Sequence, residues 1–135
     1  MTVPSLVVDT SALAAIVFGE PDAETYAGVL LRHAGSCALG GPTLVEAEIV
    51  VESRLGPSGS HLLAEILERT SATVMPFDAG LARGAIGAWR RFGKGRHPAR
   101  LNLGDCFSYA LSKHHNAPLL FKGHDFAQTD VLSAL

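Results

Sequence analysis

Near its start the chain reads Leu6-Val7-Val8-Asp9-Thr10-Ser11, three apolar residues followed by an acid and two hydroxyl side chains. A short apolar run of this kind, bounded by Pro4 and by the acid, predicts a buried parallel strand. Residues 11–18 have the length and composition of a helix that follows it. Asp9 is therefore predicted to lie at the carboxyl end of the strand, where open α/β sheets bind their ligands.

The rest of the chain continues this alternation of short apolar strands and helices. Further strands are predicted at 37–39, 73–77 and 119–121, with an edge strand in the tail from Asp130. Helices are predicted at 22–33, 42–55, 60–69, 79–92 and from Asp105 to about His115. The alternation predicts a single α/β domain over residues 1–135, with a mainly parallel central sheet of about four or five strands flanked by helices.

Composition narrows the class of protein. A chain of 135 residues fits one domain with one proper core, and 47% apolar with 18% charged residues is typical of a globular protein. The slightly positive mean hydropathy predicts that a partner covers some apolar surface, either a second copy or a companion chain. No apolar run approaches the roughly 20 residues of a bilayer span. We expect a soluble, cytoplasmic protein without a membrane partner.

Four acids come from distant segments, and each falls where a predicted strand or helix begins or ends. They are Asp9, Glu46, Asp105 and Asp125. Carboxylates gathered at one edge of a sheet repel one another, and a divalent cation is the usual means of holding them together. Oxygen ligands without paired cysteines or histidines favour Mg²⁺ or Mn²⁺ over Zn²⁺.

Each of the first three acids also has a structural interpretation. Asp9 could cap the helix after its strand, unless Ser11 caps that helix and leaves the acid free to bind a metal. Thr43 and Glu46 have the spacing of a capping box, in which the glutamate bonds back to the start of its own helix. Asp105 could simply complement the positive end of a helix dipole. These residues alone leave both interpretations open.

The ordered motifs resemble the PIN-domain family and, within it, the VapC-type ribonuclease toxins of toxin–antitoxin pairs. The matching segments are 7–13, 20–24, 43–46, 93–98, 103–106, 120–123 and 129–130. The resemblance implies that Asp9, Glu46 and Asp105 hold Mg²⁺, for which Mn²⁺ can substitute. It also implies an endoribonuclease that cuts RNA, commonly tRNA or rRNA, and inhibits translation until a VapB-type antitoxin blocks its acidic cleft. Such toxins form homodimers.

The sequence departs from the family pattern at the fourth acid. Related toxins usually carry an acid directly after the glycine of the turn at 120–123, and here His124 holds that place. The histidine could ligate through its imidazole or could simply be exposed to solvent. Asp125 could act as a weak ligand or orient a water, and Asp130 could serve instead.

A basic loop lies between residues 90 and 100. It holds Arg90, Arg91, Lys94, Arg96, His97 and Arg100, interleaved with two aromatic residues. Such a run is often only a solvated loop. Beside an acidic metal site, however, cations are needed to hold a polyanion, so we expect Lys94, Arg96 and Arg100 to contact the RNA backbone.

Two other classes of protein share parts of this pattern. A signalling receiver domain has similar length, α/β alternation, acids at strand ends and a late lysine such as Lys122. It also needs an acidic pair after its first strand, whereas Asp9 is single. A catalytically inactive binding module that merely keeps the PIN fold is the other alternative. The intact first three acids argue against it, and the altered fourth acid leaves it open.

Overall fold

A computed structural model describes residues 3–135, which form four β-strands and six α-helices. The strands are β1 (Leu6–Val8), β2 (Cys37–Gly40), β3 (Thr73–Met75) and β4 (Leu119–Leu120). The helices are α1 (Thr10–Val17), α2 (Ala23–Arg32), α3 (Gly41–Leu55), α4 (Pro57–Arg69), α5 (Ala79–Phe92) and α6 (Leu103–His115). None of these helices combines the length and apolarity needed to cross a membrane.

The four strands form one parallel sheet in the order β3-β2-β1-β4. This confirms the predicted α/β fold with a parallel central sheet. The predicted edge strand in the tail is reduced to a single bridge between Ser133 and Leu119. The strand order also differs from the 2-1-3-4-5 order of receiver-type sheets, so the topology does not match that alternative.

Helices cover both faces of the sheet because alternate strand residues point to opposite sides. Val7, Ala38 and Leu119 pack against α5 and α6 on one face. Leu6, Val8, Cys37, Leu39 and Leu120 lie on the other face, against α1 to α4. The two layers bury β1, β2 and β4, whereas Thr73 and Val74 of the edge strand β3 are exposed. The ends of the buried strands are the places where polar side chains can gather.

Several element boundaries differ from the prediction for identifiable reasons. The predicted strands ending at residues 77 and 121 stop at Met75 and Leu120, because the neighbouring strands end at Gly40 and Val8 and offer no further partners. Helix α4 begins at Pro57 instead of residue 60. Gly56, with a φ of 65°, turns the chain sharply, and proline suits the first helical position because its missing N–H needs no partner there.

Candidate active site

Asp9 is the most constrained acid of the molecule. It lies at the carboxyl end of the central strand β1 and is only 3% exposed. Its Oδ2 accepts hydrogen bonds from the backbone N–H of Ser11 at 3.0 Å and from the Ser11 hydroxyl at 2.6 Å. Its Oδ1 accepts a hydrogen bond from the hydroxyl of Ser108 at 2.5 Å. The carboxylate is thus held at both oxygens before any ligand binds.

Of the two caps that the sequence allowed for helix α1, the structure has Asp9 as the N-cap and not Ser11. The hydroxyl of Ser11 instead links two chain segments. It donates to Asp9 and accepts a hydrogen bond from the backbone N–H of Lys122 at 3.0 Å. Capping and a role in the acidic site are therefore compatible, since capping uses only one oxygen of Asp9.

Lys122 fastens the turn after β4 to the connection between α1 and α2. Its ammonium group contacts the carboxylates of Glu20 and, at 2.9 Å, of Asp22. These hydrogen bonds, that to Glu20 first, raise the pKa of Lys122 above its ordinary value. Asp22 is the residue at the N-cap position of α2, but its side chain makes no cap hydrogen bond and binds the lysine instead.

Asp105 lies in the first turn of α6, which begins at Leu103 and not at Asp105 as predicted. Asn102 is the N-cap, because its side chain accepts a hydrogen bond from Asp105 N at 2.9 Å while Asp105 Oδ2 accepts one from Asn102 N at 3.1 Å. This reciprocal capping box fixes the Asp105 side chain through one oxygen. The other oxygen has no hydrogen bond to the backbone of the described residues and can accept a ligand.

Electrostatic crowding marks Asp105 as part of an acidic cluster. Burial and, to a smaller extent, the negative charges of Asp9 and Asp125 together raise the pKa of its carboxyl to about 7, against the lowering effect of the Asn102 N–H. Asp125 also raises this pKa by a hydrogen bond to the carboxyl. The structure therefore brings Asp9, Asp105 and Asp125 together at one edge of the sheet, from three distant segments.

Glu46 reaches this edge from α3. That helix has Gly40 as its N-cap, so Glu46 lies too far along it to form the capping box with Thr43. Its carboxylate instead lies directly against Gly104, where any Cβ would overlap it. Gly104 thus permits the close approach of Glu46 to the turn that carries Asp105.

The candidates for the fourth acid occupy different environments. His124 is exposed. Asp130 accepts a hydrogen bond from the Tyr109 hydroxyl at 2.5 Å and forms an ion pair with Lys113 at 3.2 Å, so it ties the tail to α6. Asp125 is the candidate whose carboxyl interacts with Asp105.

The acids supply only oxygen donors, and their mutual repulsion is what a hard divalent cation would relieve. The chemistry of the donor set therefore fits Mg²⁺ or Mn²⁺. Within residues 3–135, no three acidic, histidine or cysteine side chains are arranged closely enough to form a ligand shell. The acids share an edge of the sheet, with Asp9 and Asp105 each held through hydrogen bonds from the chain.

The basic loop joins the site from the side of α5. A bridge between Gly93 and Leu101 closes it, immediately before Asn102 and α6. Lys94, Arg96 and Arg100 are all exposed. The guanidinium of Arg96 stacks over the Trp89 ring at 4.6 Å and donates to the Arg90 carbonyl. Contacts with α5 thus orient the Arg96 side chain. Lys94 and Arg100 make no side-chain hydrogen bond to the described residues.

Sequence reasoning missed Ser108 and the ion pairs of Lys122. Ser108 follows Asp105 by three residues and therefore lies on the same face of α6. A polar residue amid the buried side chains of this helix was an available signal. The Lys122 contacts span about a hundred positions to Glu20 and Asp22, and no local pattern indicates them.

The PIN domain family matches residues 6–132 of the chain. Ribonuclease VapC of Mycolicibacterium smegmatis is 48% identical over 126 residues, which cover 93% of this chain and 97% of that protein. VapC20 of Mycobacterium tuberculosis, described as a toxin that cleaves the sarcin–ricin loop, has a crystal structure with a TM-score of 0.77 at 20% identity, covering 95% of this chain and 97% of its own. VapBC2 of Rickettsia felis, solved with a fragment of promoter DNA, has a TM-score of 0.74 at 16% identity, covering 95% of this chain and 95% of its own.

The fold and the acidic edge thus define the class: this chain belongs to the PIN-domain family. Within that family it belongs with the VapC ribonucleases, as the high identity over nearly the whole length shows. The receiver and inactive-module alternatives are not favoured. The resemblance first recognised in the ordered motifs is confirmed.

The crowding of Asp105 predicts a pH-dependent stability in the absence of metal. The pKa of Asp105 rises from 3.8 to about 7 on folding, so the unfolded chain releases this proton first as pH increases. The stabilising contribution is complete below about pH 4 and is lost between about pH 4 and 7. Asp105→Asn removes this loss, so its melting temperature in EDTA should rise relative to the parent over that range and then level off.

Asp125→Asn provides the companion measurement, because it removes one of the two charges that face Asp105. The loss of stability with rising pH should then be smaller than in the parent and end at a lower pH. If the difference between Asp105→Asn and the parent is the same at pH 4 and pH 8, the carboxyl is not perturbed and the acidic cluster is not formed in solution.

Proposed function

We propose that this protein is a metal-dependent endoribonuclease toxin that hydrolyses phosphodiester bonds of RNA. The observation that most directly supports this proposal is that Asp9, Asp105 and Asp125 converge at the carboxyl edge of the sheet. Burial and the neighbouring charges there raise the pKa of Asp105 to about 7. The 48% identity to a VapC ribonuclease supports the assignment to RNA. We propose tRNA or rRNA as the class of substrate.

Asp9 and Asp105 are the proposed core ligands of Mg²⁺ or Mn²⁺, with Glu46 as the third. When bound, such an ion lowers the pKa of a coordinated water and neutralises charge on the scissile phosphate. Ser11 and Asn102 orient the two aspartates through the hydrogen bonds already formed. Asp125 is proposed to orient water or to serve a second ion, because it is the candidate for the fourth acid that interacts with Asp105.

The basic loop supplies the positive charge that the acidic edge lacks. Lys94, Arg96 and Arg100 are exposed on the segment that leads directly into α6. Cations there would hold the RNA backbone while the carboxylates act on one phosphate. We further propose a cytoplasmic location, where RNA is available, and a VapB-type antitoxin that blocks the acidic edge. A VapBC2 complex from Rickettsia felis has a chain of similar fold.

We also propose that the protein is a homodimer through an apolar surface beside the acidic edge. Exposed side chains of α3, the start of α6 and α5 form it: Val45, Ile49, Leu103, Ile86 and Trp89. Between α5 and α6 the surface contains an apolar groove of about 590 Å³. In a dimer with a two-fold axis, the exposed apolar side chains of α3 in each copy would pack into the groove of the other copy. A symmetric dimer uses the same surface patch on both copies.

Charged substitutions on this surface should produce a monomer. Ile49→Glu and Leu103→Glu place a carboxylate in the proposed contact, where it would be desolvated without a partner. Light scattering coupled to gel filtration should then report half the parent's mass. Leu62→Glu, on the exposed side of α4, is the matched control and should remain dimeric. A monomeric parent, with these variants impaired only in antitoxin binding, would assign the surface to the antitoxin instead.

Removal of a core carboxylate should weaken metal binding by about tenfold or more, the range typical when a metal site loses part of its support. Isothermal titration of Asp9→Asn and Asp105→Asn with Mn²⁺ measures this directly. RNA cleavage by both variants should fall by a similar factor or more. Unchanged Mn²⁺ affinity in both variants would remove the metal-site assignment.

The Mn²⁺ titration, combined with RNA turnover, also tests which residue acts as the fourth acid. Asp125→Asn should lower the turnover of RNA at saturating Mg²⁺ more than it lowers Mn²⁺ affinity, because its proposed role concerns water or a second ion. Asp130→Asn is the matched control, since Asp130 is engaged by Tyr109 and Lys113. If Asp130→Asn lowers turnover at unchanged stability while Asp125→Asn does not, the fourth position belongs to Asp130.

The basic loop should contribute affinity for RNA without contributing to metal binding. Arg96→Glu with Arg100→Glu should flatten the dependence of log K on log salt by about 0.7 for each single-strand phosphate that the protein no longer neutralises. Mn²⁺ affinity should stay at the parent's value. Arg32→Glu with Arg69→Glu makes the same change in net charge on the opposite face of the sheet. Equal salt slopes for the two double variants would contradict a specific role of the loop.

A further inference from the structure

Ser108 is a buried hydroxyl in the middle of α6. Its side chain is 1% exposed, and it donates a hydrogen bond of 2.5 Å to Oδ1 of Asp9, which is itself 3% exposed. The bond joins α6 to the carboxyl end of the central strand. Asp105 lies three residues earlier on the same helix, so one helical turn carries both an acid and the hydroxyl that holds the other acid.

The contact is specific to Ser108 and not a general property of serines in this helix. A helical serine commonly donates to a backbone carbonyl one turn before it. Ser112 lies one turn further along α6 and is 2% exposed. Its hydroxyl also donates to a backbone carbonyl, that of Ala117 beyond the end of the helix, at 2.7 Å. Ser108 instead bonds to a carboxylate, and hydrogen bonds to a charged acceptor are the stronger kind.

The hydrogen bond supplies a restraint that Ser11 cannot. Both bonds from Ser11 end on Oδ2 of Asp9, and a carboxylate held at one oxygen can still pivot about that oxygen. Ser108 holds the second oxygen and so fixes the orientation of the group. It also ties Asp9 to the helix that carries Asp105, so that a rigid element opposes the repulsion between the two acids.

We propose that Ser108 is a positioning residue that fixes Oδ1 of Asp9, relative to Asp105, for a divalent cation. The inference rests on the proposed metal-dependent function. One lone pair of Oδ1 remains for the ion while Ser108 occupies the other. Polar groups that orient a metal ligand in this way typically change metal affinity by about 10–100-fold when removed.

Comparison of Ser108→Ala, Ser108→Thr and Ser112→Ala tests the proposal. Ser108→Ala should lower Mn²⁺ affinity in isothermal titration about tenfold and lower kcat for RNA, with KM unchanged because the RNA contacts lie elsewhere. Ser108→Thr keeps the hydroxyl and should therefore recover most of the loss in both quantities. If Ser108→Ala does not fold, Ser108→Cys, of similar size and with a weaker donor, replaces it with the same expected loss of affinity.

Ser112→Ala controls for loosening of the helix. It also removes a buried hydroxyl from α6, and its melting temperature should fall while Mn²⁺ affinity stays at the parent's value. The proposal is overturned if Ser108→Ala binds Mn²⁺ as the parent does, or if Ser112→Ala loses as much affinity. A parent that binds no Mn²⁺ or cleaves no RNA would overturn the proposed function itself, which the Ser108 variants alone cannot do.

Discussion

Repulsion among Asp9, Asp105 and Asp125 is the constraint that the rest of the site must overcome. Three carboxyls at one sheet edge destabilise the fold when all are ionised, and burial increases the cost by weakening solvation. The pKa of Asp105, raised to about 7, is the local sign of that cost. Hydrogen bonds from the chain hold Asp9 and Asp105 individually, and a bound cation would compensate the charges of all three acids together.

The hydrogen bonds come from elements that also build the fold. Ser11 lies in the first turn of α1, Asn102 caps α6, and Ser108 belongs to the buried middle of α6. Each donor therefore lies on, or directly before, a helix that packs against the sheet. This is the property that a preorganised site requires, since groups on rigid elements keep their geometry better than groups on free loops.

The acidic side chains and the basic loop lie next to each other but on different segments. The acids occupy the ends of β1 and α6, and the basic loop is closed by the bridge of Gly93 to Leu101 directly before α6. A polyanion bound by the loop would thus pass close to the acids. Asn102 lies between the basic loop and α6. Its capping box with Asp105 fixes the end of the loop relative to the first turn of the helix.

The sequence alone determined the parallel α/β fold and the family, because apolar runs, helix lengths and ordered motifs are local properties. It also predicted that Asp9 and Asp105 lie at the ends of elements on one edge of the sheet. It could not decide whether Asp9 or Ser11 caps α1, whether Glu46 closes a capping box, or which of His124, Asp125 and Asp130 lies near Asp105. Nor did it indicate Ser108. These questions depend on contacts between segments far apart in the chain, such as Ser108 to Asp9 and Lys122 to Glu20, and only tertiary packing sets such distances.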